Sequence, residues 1–402
     1  MYLEIPKKLA PLEEQAHMVA EQMFRPISRK YDRAEHEYPV ELDMLAAVLE
    51  GMGDGGGMGG AGASQTKRSK KPDDGGVKNG GNMATVIGLT ELCWGDVGLA
   101  LSIPRQGLGN AAIAAVANEE QLERFKGRWA AMAITEPDAG SDSGAIRTTA
   151  RLDGDHYVLN GEKIFITAGS RADLVVVWAT LDPALGRAAM KSFVVEKGTP
   201  GMELLRLDHK LGIRASDTAT IAFSDCRVPK ENLLGSPEIN TKGGFGGVMQ
   251  TFDNTRPMVA GMALGVGRAA LERTRELLRK ANVKADFSRP VLASSAAEAE
   301  LYRMEADLEA ARLLTLKAAW MADNGIPNSK EASMAKAKAA RTANHITLRC
   351  LQLCASVGAT ETELLEKWAR DSKIIDIFEG TQQIQLLIIA RRLLGKSSAE
   401  LR

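Results

Sequence analysis

A chain of 402 residues, 45% hydrophobic and 25% charged, is long enough for two or three packed units, each with its own core. Basic and acidic residues balance at 51 each, so no overall field favours nucleic acid or an anionic membrane, and the partner is a small molecule or another protein. No apolar run reaches the roughly 18 residues that cross a bilayer, the N-terminus is charged where a signal peptide is apolar, and Cys93, Cys226, Cys350 and Cys354 form no Cys-x-x-Cys pair, all of which point to a cytoplasmic setting without membrane insertion.

Residues 1–128 read as an N-terminal helical unit, with apolar residues recurring at three and four in PLEEQAHMVAEQMFRPISRKYD and VELDMLAAVLEGM. A glycine-rich insert at about 51–82 interrupts it, where almost no apolar side chain offsets backbone entropy, and a flexible surface loop is expected there. Its basic cluster, Lys67, Arg68, Lys70 and Lys71, reads as a solvated charge run.

The period switches near Trp129. Short β-branched runs in TTARLDGDHYVLNGEKIFITAG, ADLVVVWATLD, KSFVVEKG and TATIAFSDCRVP, separated by Asp-Gly, Asn-Gly and Pro-Gly turns, predict a β-barrel or sandwich over 129–240. Helical text returns over 241–402 and predicts a bundle of four or five helices. The fold class is therefore α+β, mainly α; strands do not alternate with helices, which excludes doubly wound and β/α-barrel folds.

Two Gly-x-Gly-x-x-Ala runs, GLGNAA from Gly107 and GVGRAA from Gly265, follow no predicted strand and read as close helix packing rather than dinucleotide fingerprints. The histidines at 17, 36, 156, 209 and 345 never occur in His-x-x-x-His spacing or beside two cysteines, so local sequence assembles no metal site. Cys350 and Cys354, four apart on one helix, read as buried thiols.

Three runs carry candidate chemistry. AMAITEPDAGSDSGAIRTTA sets Thr135, Ser141, Asp142 and Ser143 among glycines beside a strand, a turn that either contacts a heterocycle or phosphate or simply caps itself. DIFEGTQQIQ places Glu379 at a break between helices beside Ile377 and Phe378; apolar surroundings raise a carboxyl toward the range of a general base, while a helix-dipole partner is the alternative. TFDNTRP puts Asp253 and Arg256 on one helical face, as an ion pair or a ligand clamp.

TEPDAGSD, NGEKIFITAG, KLGIRASDTATIAFSDCRVPKENLLG, FDNTRP and FEGTQQIQ together resemble the acyl-CoA dehydrogenases, in order and across the whole chain outside the glycine-rich insert. The resemblance implies FAD-dependent α,β-desaturation of an acyl-CoA thioester in fatty-acid metabolism, electron transfer to an electron-transferring flavoprotein, and a tetramer. Met132, Ile134, Thr135, Gly140, Ser141, Phe165, Thr167, Thr381 and Gln383 would meet FAD, with Gln352 contributed by a neighbouring subunit. Ser141, Phe252, Asp253, Arg256, Gly380 and Arg391 would contact the acyl-CoA. Glu379 would be the base, because the alternative family position is Thr255, which cannot serve. A silent or regulatory family member and a flavin oxidase or monooxygenase are the competing readings, and the intact Glu379 and TEPDAGSD argue against the silent one.

The chain departs from the family at two elements that normally reach a neighbour's FAD. Lys284 and Ser288 stand where arginine and glycine are common, and Ala355 and Ser356 where two glycines are. Lysine lacks the planar fork of arginine, and added Cβ atoms crowd a close backbone approach. A homotetramer and a heterotetramer with a related subunit both remain open.

Overall fold

A computed structural model describes residues 4–51, 80–105, 107–239, 246–283, 288, 290–397 and 400. Lys284 and most of the glycine-rich insert, including its basic cluster, lie outside the described residues. Before the sheet come α1 (Ala10–Val19), α2 (Arg25–Arg33), α3 (Glu41–Gly51), α4 (Gly81–Gly95), α5 (Val97–Ala100), α6 (Leu108–Val116) and α7 (Glu119–Arg124). A π-helical stretch, Ala20–Phe24, joins α1 to α2 just ahead of Pro26, whose ring nitrogen has no hydrogen to give a helix ladder.

The strands are β1 (Ala130–Ala133), β2 (Thr149–Asp153), β3 (His156–Thr167), β4 (Leu174–Thr180), β5 (Met190–Glu196), β6 (Met202–Leu207), β7 (Thr218–Pro229) and β8 (Leu233–Leu234). They form one sheet in the order β6-β7-β3-β2-β4-β5-β8, with β1 parallel to β4. Every residue of β4, LVVVWAT, is buried. Val175, Val177 and Ala179 enter one apolar cluster while Leu174 and Val176 enter another, as the two-residue period of a strand covered on both faces requires.

Asp153-Gly154 turns β2 into β3, with Gly154 at φ 63°. Asn160-Gly161 is not the expected turn. It lies inside β3 at a register shift against β7, and a Cβ on Gly161 would stand 2.4 Å from Thr148 Oγ1. Glycine there admits a neighbouring strand at a bulge and ends nothing.

After the sheet, α8 (Gly246–Lys280), α9 (Ala296–Asp323), α10 (Ser329–Gly358), α11 (Leu365–Ile375) and α12 (Gln382–Leu394) pack as the expected bundle; α8 to α11 share one large core with α1, α2 and α4, and α12 lies against α10. Both glycine runs serve close packing. A Cβ on Gly109 would meet Ala131 O at 2.3 Å, where α6 lies on β1, and one on Gly265 would meet Thr90 O at 2.2 Å, where α8 lies on α4.

The sheet also docks on the helix that leads to Glu379. Asp371 Oδ1 on α11 accepts from Ile213 N at 2.6 Å, and Leu211 O accepts from Arg370 at 2.9 Å. Buried Lys367 lies 2.7 Å from Asp96 and 2.5 Å from Asp371, so α5's N-cap, α11 and the 211–217 loop are held by one charge-assisted cluster.

Candidate active site

Between α11 and α12 the chain breaks at Glu379 and Gly380, with φ of 56° and 91°. A left-handed glutamate costs of order 1–2 kcal/mol, so the surroundings must hold it there. They hold it by both carbonyls. Buried Gln385 Nε2 donates to Glu379 O and Gly380 O at 3.1 Å each, and Lys336 Nζ, from α10, donates to Gly380 O at 2.8 Å. Thr381 caps α12, its hydroxyl accepting from Ile384 N.

The Glu379 carboxylate is half-buried, and Thr255 on α8 donates to its Oε2 at 2.9 Å. Burial pushes the carboxyl above its ordinary range; the Thr255 bond and the charges of Arg256 and Lys336 pull it partly back. Lys336 is 0% exposed, and burial lowers its ammonium to about 8 against the pull of Asp376 and Glu379. A carboxylate poised in this way, with buried cations within electrostatic reach, suits proton abstraction.

A second group of residues lies on the sheet. Met132 and Ile134 pack partly buried against Trp178, Met190, Ala139 and Ile146. Thr135 O accepts from Ile164 N at 2.9 Å, which seats the TEPDAG turn on β3. Buried Lys163 Nζ reinforces that seat, donating to Ile134 O at 2.9 Å and to Glu136 Oε1 at 2.7 Å, while Glu136 also accepts from the backbone N–H of Arg147 and Thr148. Phe165 sits in the second register shift of β3 with φ 57° and is 62% exposed. An exposed aromatic on a strained bulge gains nothing from the core, which is the arrangement of a ligand-facing side chain. Gly140, Ser141 and Thr167 are likewise exposed.

Glu379, Gly380 and Arg256 therefore come together around Thr255, while Ile134 and Thr135 lie alongside the strand that carries Phe165 and Thr167. Arg391 is half-buried and Gln383 exposed on α12; Gln352 is exposed on α10, accepting from Arg349 at 2.5 Å. The side chains of Phe252 and Asp253 lie outside the described residues. Sequence reasoning passed over Lys336, Gln385, Lys163 and Glu136. For Lys336 a signal existed: in ASMAKAKAARTA it shares a helical stripe with Ala332, Ala339 and Ala343, all buried.

Two family descriptions match the chain, the acyl-CoA dehydrogenase middle domain over residues 131–226 and the acyl-CoA dehydrogenase C-terminal domain over 242–394. The NADH-dependent acryloyl-CoA reductase of Anaerotignum propionicum is 32% identical, over 98% of this chain and 97% of that protein. The chain belongs to the acyl-CoA dehydrogenase family. Among solved structures, butyryl-CoA dehydrogenase from Megasphaera elsdenii matches with a TM-score of 0.84 at 30% identity, over 98% of this chain and 100% of that one. A chain in the structure of the electron transferring flavoprotein of Acidaminococcus fermentans matches with a TM-score of 0.81 at 30% identity, over 98% of this chain and 100% of that one. This acyl-CoA dehydrogenase is thus an oxidoreductase, as the motifs imply.

Proposed function

We propose that this acyl-CoA dehydrogenase desaturates a short acyl-CoA thioester, with Glu379 as the base and FAD as the cofactor. The observation that carries the reading is the half-buried carboxylate of Glu379 on a left-handed break, bonded to Thr255 and flanked by Arg256 and Lys336. Short substrates are favoured by the relatives named for acryloyl- and butyryl-CoA.

The sheet residues fit a flavin. An exposed aromatic at Phe165, hydroxyls at Thr135, Ser141 and Thr167, and a glycine-bearing turn offer one flat face and several hydrogen-bonding groups. Met132, Ile134, Gly140, Thr381, Gln383 and a neighbour's Gln352 complete the proposed FAD contacts. Bound there, FAD would accept the hydride that leaves Cβ. Glu379 takes the Cα proton, and its backbone N–H, in a break held by Lys336 and Gln385, is assigned to the thioester oxygen, where negative charge develops. Arg256, Arg391, Ser141, Phe252, Asp253 and Gly380 are assigned to the acyl-CoA.

Electrons would leave to an electron-transferring flavoprotein; the fold match to a chain in such a structure and the exposed Phe165 support this. Exposed Leu348 and Val357 on α10, with Leu386, Leu387, Leu393 and Leu394 on α12, support an oligomer that covers them. Ala355 in place of a family glycine, at φ 42°, favours a related subunit as the neighbour, whereas a homotetramer needs only adjusted contacts. Boundaries near 128 and 240, and a cytoplasmic setting consistent with free cysteines throughout the described residues, belong to the same proposal.

The test is the flavin spectrum of purified protein and its anaerobic bleaching by acyl-CoAs of graded length. Bleaching by three- and four-carbon thioesters that disappears in Glu379→Gln supports the reading. Bleaching that survives Glu379→Gln removes Glu379 from the role of base.

A further inference from the structure

The fold brings together two histidines and a glutamate that sequence spacing kept apart. Glu35 and His36 follow α2, and His209 follows β6, with Glu35 and His209 separated by 174 positions in the chain. One ligand atom from each of the three lies within 4.8 Å of the others. His209 Nδ1 is 2.9 Å from Glu35 Oε2, and the two imidazole rings are 5.0 Å apart at 55°.

His36 is the anomaly. Both of its ring nitrogens are buried without a hydrogen-bond partner, and its backbone is left-handed at φ 74°. A buried, unbonded imidazole nitrogen costs about 1–3 kcal/mol, and a left-handed histidine adds to that, so something outside the protein's own hydrogen bonds should answer the ring. The carboxylate is already oriented as a ligand would be: Glu35 Oε1 accepts from Lys210 N at 2.8 Å, leaving Oε2 turned to His209. The Lys210 ammonium is spent on Ser216 O at 2.7 Å. Arg171 fixes the loop from behind, donating to Glu37 O at 3.0 Å and to His36 O at 3.4 Å.

We propose that Glu35, His36 and His209 bind one divalent transition-metal ion, clamping the α2–α3 connection to the β6–β7 connection. Two imidazoles and one carboxylate suit zinc, cobalt or nickel rather than magnesium or calcium, which prefer oxygen ligands. Three protein ligands leave a coordination position for water. None of the three residues belongs to the group around Glu379, so the site is independent of the proposed reaction.

The experiment uses the full-length, tag-free protein stripped of metal. Zinc chloride is titrated calorimetrically and in thermal unfolding, and cobalt chloride by visible absorption, for wild type, His209→Ala and His36→Gln. His209 is 85% exposed along its side chain, so His209→Ala leaves the fold intact. The expected result is one equivalent of zinc per chain, a raised unfolding temperature, a cobalt absorption band, and affinity reduced on the order of 100-fold in His209→Ala. Absence of saturable zinc binding in the wild type would overturn the proposal, and so would equal affinity in wild type and His209→Ala.

Discussion

The hydroxyl of Thr255 donates to Glu379 Oε2 across 2.9 Å, tying α8 to the break between α11 and α12. Burial raises the Glu379 carboxyl, and this bond is the first of the influences that restrain it. As the proposed general base Glu379 would act as its carboxylate, so kcat/KM should climb with pH through the Glu379 pKa. Thr255→Val removes a group that favours the ionised form, and the climb moves to higher pH while the plateau changes little. A pH–rate profile checks this; a limb that stays in place or moves to lower pH counts against the bond's role.

Glu379→Gln separates chemistry from stability. Activity should fall by roughly 10²–10⁴-fold, the usual worth of a positioned base. Because the folded-state pKa is raised, the carboxyl's contribution to stability is complete below the ordinary glutamate pKa and is lost as pH climbs through the raised value. The glutamine variant therefore unfolds at a higher temperature than wild type above that range and at about the same temperature below it. Thermal scans at several pH values read the difference.

Lys336 should add a second limb. Its ammonium titrates near 8, facing Asp376 and Glu379 on the break and Arg256 on α8. Above that pH the neutral amine gives Gly380 O a weaker bond and no longer favours the Glu379 carboxylate. Lys336→Met should lower kcat more than it raises KM, by about tenfold or more for a lost charge-assisted bond, and should abolish the fall in wild-type rate above pH 8. An unchanged high-pH limb in the variant would show that another group sets it.

The legible parts of this chain are those in which local sequence must do something unusual. Glu379-Gly380 reads as a break because glycine follows an apolar helical run, and β4 reads as a strand because five of its seven residues are Val, Trp or Thr. β1, AAMA, carries no β-branched residue, and β6, MELLRL, exposes most of its side chains, so neither announces a strand. Asn160-Gly161 looks like a hairpin turn and is a bulge, because only the packed Thr148 shows why glycine is needed. Lys163, Lys336 and the meeting of His36 with His209 depend on tertiary burial, which no local period encodes. The open left-handed position at Ala355 is equally invisible without the backbone.

Lys163 and Glu136 link the two motifs on the sheet, and the pair should not tolerate loss of one member. Burial lowers Lys163 to about 8, whereas Glu136, despite burial, is drawn below its usual value by the Arg147 N–H and by Lys163. Lys163→Met strands a carboxylate that is 6% exposed, at a cost of about 3–5 kcal/mol, and frees the Ile134 carbonyl. The expected result is a lower unfolding temperature and loss of flavin during gel filtration, both partly restored in Lys163→Met/Glu136→Gln. A single variant as stable as wild type would mean that the backbone N–H groups alone satisfy Glu136.

Ala355 interrupts α10 with φ 42° and ψ −119°, a conformation that suits glycine and strains an L side chain. The residue is exposed, so Ala355→Gly removes strain and gives up little packing. Glycine's greater freedom in the unfolded chain offsets part of the gain, leaving roughly 1 kcal/mol of stabilisation. If the alanine also crowds a neighbour's cofactor, the variant binds FAD more tightly when expressed alone. Unfolding temperature and flavin stoichiometry, measured on one preparation, separate the two effects. Greater stability at unchanged stoichiometry makes the strain purely local and weakens the case for a different neighbouring subunit, whereas a rise toward one FAD per chain assigns Ala355 to the subunit interface and strengthens that case.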